Sequence, residues 1–277
     1  MTTWISDAAP DTEIERALHL DELDVVYQPV VDLRDTRVCG AEALLRWNHP
    51  RAGLLWPGDF LPLVVDEQLI VRIGRRVIQQ VAGDGVKWLR TFPDHRLTLG
   101  INLSRDHFDA VDLPSHLANL VHSFGFEPGV LAVEIPRTTL GAPTQRIRSR
   151  VEAITATGVE ILVDDFGKGW SADDRVGHEG DDLFASLRVL DGLPIRGVKI
   201  ERDLFEAPVT DHGFLRALID YAHAIDMLVY AKRVQTAEEA GRLRDAGCDR
   251  VQGYLYHRPQ PADYMALLLR EQEQAAS

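Results

Sequence analysis

The sequence has few cysteines, no long apolar run and a shortage of positive charge. Its two cysteines, Cys39 and Cys248, fit neither a disulfide framework nor a metal site. No apolar run approaches the ~20 residues that a membrane span needs, and the first residues lack the basic-then-apolar order of a secretion signal. These absences predict a protein of the reducing cytoplasm. A formal net charge of -13 argues against general nucleic-acid binding through phosphates.

The length and the order of the elements restrict the fold. The 277 residues suit two small domains or one α/β barrel, whose usual size is about 250 residues. Strand-like and helix-like patterns alternate along the whole chain, which favours a barrel or a doubly wound sheet. No internal linker is evident. We therefore expect a flexible segment at 1–12, one domain at 13–270 and a C-terminal tail at 271–277.

Two adjacent carboxylates, Asp164 and Asp165, follow the apolar run Ile161-Leu162-Val163 and precede a glycine-rich loop. The run is typical of a strand that is buried on both faces in a parallel sheet. Both carboxylates can turn toward the C-terminal rim of the sheet where the strand gives way to the loop. Oxygen ligands there suit Mg²⁺ or Mn²⁺. For an isolated pair, a turn or a helix N-cap is the alternative.

Other polar side chains also fall near predicted strand ends, and in a parallel barrel that rim carries the active site. Glu42 and Arg46 stand within an apolar run, so either one face of that strand is exposed or the two charges are buried and paired. Asn102 as a lone amide would more often cap a helix or a turn. The residues predicted at the rim are Glu42, Asn102, Glu134, Asp164, Asp165, Lys199, Lys232 and Gln252.

Seven ordered motifs carry a resemblance to a known family. They read YQPVVDL from Tyr27, EALLRW from Glu42, INLS from Ile101, VEI from Val133, VDDFGKGW from Val163, VKIE from Val198 and VQGYLYHRP from Val251. In these motifs the chain resembles the EAL domain family of cyclic di-GMP phosphodiesterases, from Ile14 to Leu269. The resemblance implies the α/β class, as a modified TIM (β/α)8 barrel with one antiparallel strand. It also implies a two-metal centre that hydrolyses cyclic di-GMP to linear pGpG.

The resemblance also implies roles for particular residues. One metal ion would be held by Glu42, Asn102, Glu134 and Asp164. A second ion would be shared by Asp164 and Asp165, and Lys199 would position the attacking water or a phosphate oxygen. Residues that would contact the nucleotide are Gln28, Leu44, Arg46 and Gln252.

The chain departs from the family pattern at the second ion. Where the family has AEGVE, this chain reads AKRVQ from Ala231, so that Lys232 replaces a glutamate that serves the second ion. A protonated lysine cannot coordinate a metal, although it could take the place of one and neutralise Asp165. The second metal site is therefore doubtful. A milder change puts Glu201 where the family has aspartate.

A second set of departures concerns the loop after the paired aspartates. Arg137 replaces the glutamate that anchors this loop in the family, and Lys168 replaces a threonine. The loop is also roughly a dozen residues longer than is usual, a size typical of a binding loop or a disordered segment. The added stretch, near 172–184, is acidic. It predicts a surface for a protein partner.

These features support three hypotheses. The first is a degenerate member, weak or inactive as a phosphodiesterase, that binds cyclic di-GMP or a protein partner. The alternative is an active metal-dependent phosphodiesterase in which Lys232 turns aside and Asp165 with water completes the second site. The third is a barrel enzyme with another phosphorylated substrate. Because the family often pairs beside the two aspartates, the resemblance also predicts a homodimer.

Overall fold

The computed structural model describes residues 10–141, 144–168, 183–206 and 212–276. Strands in these parts of the chain form a single sheet. They are β1 (Leu23–Asp32), β2 (Val38–His49), β3 (Gly53–Leu55), β4 (Thr98–Asn102), β5 (Leu131–Pro136), β6 (Glu160–Phe166), β7 (Gly197–Ile200), β8 (Leu228–Ala231) and β9 (Arg250–Val251).

Eight of these strands close into a barrel. The ring runs β1, β2, β4, β5, β6, β7, β8, β9 and back to β1, while β3 adds to the edge of β2 outside the ring. The strand β1 is antiparallel to both of its neighbours, β2 and β9, and the other pairs in the ring are parallel. The predicted modified TIM barrel with one antiparallel strand is therefore confirmed, and the doubly wound sheet is wrong.

Helices surround the barrel and fill most crossovers between parallel strands. Among the described residues, short 3-10 segments also lie at Leu61–Leu63 and Arg202–Leu204. The helices are α1 (Pro10–His19), α2 (Pro57–Phe60), α3 (Glu67–Thr91), α4 (Arg105–Asp109), α5 (Leu113–Phe124), α6 (Arg137–Leu140), α7 (Gln145–Thr155), α8 (Leu183–Leu190), α9 (His212–Ala224), α10 (Ala237–Asp245) and α11 (Ala262–Ala276).

Two helices lie at the ends of the described chain. Helix α1 begins at Pro10, within the segment predicted to be flexible, and α11 continues to Ala276, within the predicted tail. Both helices add to the barrel, because Ile14 and Ala17 of α1 and Met265 of α11 are fully buried. The acidic stretch predicted near 172–184 lies outside the described residues, except for its last two, which begin α8.

The core lies between the barrel wall and the helices. Val133 of β5 and Ile161 and Val163 of β6 are fully buried there, and Val151 of α7 packs over them in the same cluster. Apolar burial on this scale supplies the main driving force for folding. Among the helices described, none has the length and apolarity to cross a membrane.

The contact between β2 and β4 generates a prediction about stability. Gly40 pairs with Thr98, and a Cβ atom at Gly40 would meet the Thr98 carbonyl oxygen far inside contact distance. Gly40→Ala should lower the free energy of unfolding by about 1–3 kcal/mol, since the backbone must shift. Gly241→Ala in α10 is the control, because a Cβ atom there meets nothing within 4 Å. Gly241→Ala should raise the free energy of unfolding by about 0.5–1 kcal/mol.

Urea denaturation of the two variants and the parent chain checks this prediction. Equal stability of Gly40→Ala and the parent would contradict the close packing of β2 on β4.

Candidate functional site

Charged residues from five strands of the barrel converge at its C-terminal rim. Glu42 of β2 lies level with Gly100 of β4, and Glu134 is next to Asn102 in the β4–β5 pairing. The remaining members lie on β6, on β7 or directly after β7 and β8. The cluster, hereafter the rim cluster, consists of the carboxylates Glu42, Glu134, Asp164, Asp165 and Glu201 and of the ammonium groups of Lys199 and Lys232.

A local irregularity in β6 turns both aspartates toward the rim. The pairing of β6 with β7 shifts register between Val163 and Phe166, which marks a β-bulge. Asp165 within it has φ of 56°, in the left-handed region that aspartate tolerates better than most residues. Asp164 and Asp165 therefore both reach the same ammonium group, although alternation in a regular strand would send them to opposite faces. The pair lies within a strand and not at a turn or helix N-cap.

The ammonium group of Lys232 occupies the centre of three carboxylates. Its Nζ lies 2.5 Å from Asp164 Oδ1, 2.7 Å from Glu201 Oε1 and 3.2 Å from Asp165 Oδ1. Burial alone would lower the pKa of Lys232, but the negative charge of Asp164 and the close ion pairs with Asp164 and Glu201 raise it above its usual value. Lysine is therefore charged here. The sequence predicted neutralisation of Asp165, whereas the shorter contacts are to Asp164 and Glu201.

Lys199 makes a second, deeper pair of contacts. Its Nζ lies 2.7 Å from Glu42 Oε2 and 2.5 Å from Glu134 Oε2, and its side chain is almost fully buried. Asn102 Nδ2 donates to Glu42 Oε1 at 2.7 Å, and Gln252 Nε2 donates to Glu42 Oε2 at 2.5 Å. Glu42 is thus buried and paired, so the prediction of an exposed strand face is wrong for it. Asn102 acts as a partner of Glu42 rather than as a cap.

The two lysines leave the rim cluster with more negative than positive charge. Burial would raise the pKa of Glu42, but Lys199, Asn102 and Gln252 outweigh it and lower the pKa to about 2. Glu134 has the opposite outcome, because burial and then the negative charge of Glu42 raise its pKa to about 8. Five carboxylates face two ammonium groups, and the carboxyl of Glu134 carries the consequence of that excess.

Ammonium groups contact the ligands of both predicted metal sites. Glu42, Asn102, Glu134 and Asp164 carry oxygen atoms of the kind that Mg²⁺ or Mn²⁺ prefers. Lys199 Nζ, however, contacts Glu42 and Glu134, and Lys232 Nζ contacts Asp164, so that an ion at this first site would have to displace lysine contacts. Within the described part of the chain, the one group of three acidic side chains whose ligand atoms converge closely enough for a metal is Asp164, Asp165 and Glu201. Lys232 Nζ contacts all three. A second ion therefore does not fit beside this ammonium group.

A polar cavity of about 370 Å³ opens beside the rim cluster. All four residues that the sequence predicted to contact a nucleotide line it, although they come from β1, β2 and the segment after β9. Its lining consists of Gln28, Glu42, Leu44, Arg46, Trp56, Lys232, Arg233, Gln235, Gln252, Gly253, Tyr254 and Pro259. We call it the rim cavity.

Arg46 in the wall of the rim cavity is buried without a carboxylate partner. The residue is 8% exposed, and its Nη1 donates to the Leu45 carbonyl oxygen at 2.8 Å. Among the described residues Arg46 forms no ion pair, although the charges of Tyr254 and Glu42 act on it from a longer distance. Burial lowers the pKa of its guanidinium group. Buried charges are normally paired or bound, so the unpaired guanidinium of Arg46 is unusual. The exposed strand face predicted as one option is wrong for Arg46.

Three further residues lie at this site without having been predicted there from the sequence. Glu201 was noted only as a mild change, yet it is 2% exposed and contacts Lys232. Trp56 and Tyr254 flank the rim cavity with about half of each surface exposed, and the guanidinium of Arg258 lies over the Tyr254 ring at 4.2 Å. No pattern in the sequence distinguishes Trp56 from an ordinary surface aromatic. The quoted VQGYLYHRP motif was the one signal for Tyr254.

The two residues that depart from the family pattern near the loop after the paired aspartates, Arg137 and Lys168, have local contacts. Arg137 Nη1 lies 3.5 Å from Ser186 Oγ of α8, and Lys168 Nζ lies 3.2 Å from Asp165 Oδ2. The loop itself, including the acidic stretch predicted to bind a partner, continues into residues 169–182, outside the described residues. A protein partner and a homodimer stay predictions.

Comparisons with known proteins agree with the geometry. The model of the family described as EAL domain matches residues 11–178 and 181–259. The oxygen sensor protein DosP of Escherichia coli is 30% identical over 253 residues, which are 90% of this chain and 30% of DosP. An uncharacterized signaling protein of Caulobacter vibrioides is also 30% identical, over 92% of this chain and 30% of its own length. The chain thus spans about a third of these curated relatives.

A solved structure gives the same result for the fold. The PaMucR phosphodiesterase, solved as a complex with c-di-GMP, has a TM-score of 0.77 and 29% sequence identity. The match covers 93% of this chain and 100% of that one.

The position of Lys232 generates a prediction. Lys232→Met leaves three carboxylates without their cation, and in a chelator it should lower the free energy of unfolding by about 3–5 kcal/mol. Millimolar Mg²⁺ or Mn²⁺ should restore part of this loss, because a divalent cation can then approach the same oxygens. Denaturant titrations with and without metal measure both effects.

Lys168→Met is the matched control, since Lys168 also contacts Asp165 but is mostly exposed. Lys168→Met should lower the free energy of unfolding by less than about 1 kcal/mol, and metal should not change this effect. Equal losses in the two variants would contradict the neutralising role of Lys232.

Proposed function

Because the chain belongs to the EAL domain family, we propose that it binds cyclic di-GMP at the rim cavity and hydrolyses it weakly or not at all. The observation that carries this proposal is Arg46, a buried guanidinium group without a carboxylate partner in the described structure. A cyclic dinucleotide with two phosphates supplies the missing negative charge. Arginine suits this role because its donors match phosphate oxygens in pairs.

The rest of the rim cavity supports a nucleotide ligand. Gln28 Nε2 donates to the His257 carbonyl oxygen at 3.2 Å, which holds its amide at the cavity wall. Trp56 and Tyr254 present exposed rings on which a base can stack. The PaMucR phosphodiesterase, which is similar to this chain over its full length, was solved with c-di-GMP bound.

Weak hydrolysis follows from the loss of a second cation. Two ions at a phosphodiester stabilise the attacking and the leaving oxygen together. Here the place between Asp164, Asp165 and Glu201 is held by an ammonium group, which cannot acidify water as a Lewis acid does. A single cation at Glu42, Asn102, Glu134 and Asp164 would supply Lewis acidity at one position alone. Lys232 would generate no nucleophile in place of the second cation.

The active phosphodiesterase is the second candidate, and one observation favours it. The oxygen donors of Glu42, Asn102, Glu134 and Asp164 come from four neighbouring strands of the barrel and would suit one divalent cation. Lys199 bridges Glu42 and Glu134 beside these donors. A residual rate would then depend on that cation.

Calorimetric titration with cyclic di-GMP, in Mg²⁺ and then in chelator, tests the proposal. We expect binding in both conditions, because arginine and lysine side chains supply the positive charge. Arg46→Ala should weaken binding by about 1.5–3 kcal/mol, or more than tenfold. Arg105→Ala on α4, an exposed arginine outside the rim cavity, should bind like the parent chain. Absence of binding in both conditions would overturn the proposal.

Chromatography of the same mixtures tests hydrolysis. We expect little or no pGpG from the parent chain in Mn²⁺. Lys232→Glu, which restores the family residue, should form more pGpG in Mn²⁺ and none in chelator. Rapid Mn²⁺-dependent hydrolysis by the parent chain, abolished in Asp164→Asn, would favour the active phosphodiesterase instead.

A further inference from the structure

Arg233 has a backbone conformation that disfavours an arginine. Its φ is 60°, in the left-handed region where a Cβ atom crowds the neighbouring carbonyl oxygen. Glycine avoids this crowding, and glycine is the residue that the family motif AEGVE has at this position. A residue held in such a conformation against its preference often serves a site.

Packing within the described structure does not compensate for this conformation. The Arg233 side chain is 70% exposed, and its one carboxylate neighbour is Glu201, with Nη1 3.8 Å from Oε2. Exposed ion pairs at this distance contribute little to stability. The arginine is therefore not explained by folding.

The distribution of charge at the rim cavity indicates a role for Arg233. Lys232 is surrounded by three carboxylates and has little positive charge left for a ligand. Arg46 and Arg233 both line the cavity, one buried without a carboxylate partner and one exposed. Two guanidinium groups thus face a cavity proposed to take a ligand with two phosphates.

We propose that Arg233 binds one phosphate of the cyclic dinucleotide and so takes over the attraction that the second divalent cation would exert. This inference rests on the proposed binding of cyclic di-GMP. Arg46 binds the other phosphate. Recognition then needs no second metal, and the unfavourable backbone at Arg233 is offset by ligand contacts.

Arg233→Gly tests the inference, because it removes the side chain and relieves the backbone at once. Calorimetry in chelator should show a Kd at least tenfold higher than for the parent chain. The midpoint of urea unfolding without ligand should rise. The dependence of binding on salt should also become shallower, since one phosphate contact is lost.

Asp226→Gly is the matched control for backbone relief. Asp226 has φ of 61° and precedes β8, at the end of the barrel opposite the rim cavity. It should raise the unfolding midpoint and leave the Kd unchanged.

Each other outcome overturns the inference. Unchanged affinity in Arg233→Gly, beside a parent chain that binds, would remove the role of Arg233 and leave the proposed function intact. Weaker binding together with a lower unfolding midpoint would show that Arg233 acts in folding. A parent chain that does not bind cyclic di-GMP would overturn the proposed function as well.

Discussion

Two buried ammonium groups hold the rim cluster together. Lys199 and Lys232 each bridge carboxylates that come from different strands, so that β2, β5, β6 and β7 are joined through side-chain charge as well as through the sheet. Carboxylates buried at this density repel one another unless cations lie between them. The functional end of the barrel therefore depends on these two lysines for its stability and for the shape of its cavity.

The backbone at the rim is adapted to this arrangement of charges. Asp165 and Arg233 both have left-handed conformations. Asp165 contacts the ammonium group of Lys232, and Arg233 follows Lys232 in the chain. The ladder between β6 and β7 holds Asp165 in this conformation, whereas Arg233 lies beyond the end of β8. The bulge in β6 brings two neighbouring carboxylates to one ammonium group, which a regular strand could not do.

Much of the fold and part of the site could be predicted from the sequence. Alternating strand and helix patterns indicated a barrel or a doubly wound sheet and placed Glu42, Asn102 and Glu134 near strand ends, and the ordered family motifs decided for the barrel. The burial of Arg46 could not be predicted, because even spacing along β2 fits an exposed face equally well. The contact between Lys232 and Glu201 could not be predicted either. It depends on how far β7 and β8 extend before the backbone turns away from each strand.

The replacement of glutamate by Lys232 separates two tasks that a metal ion performs together. It changes the charge at this position by two units, which equals the charge of one divalent cation. The attraction that the rim exerts on phosphate can therefore be kept by side chains alone. An ammonium group, however, has no empty orbital with which to bind and acidify water, so the same change removes a means of producing a nucleophile. Under the proposed function, a barrel altered in this way would retain the electrostatic basis for recognising a phosphodiester and would lose part of the means to cleave it.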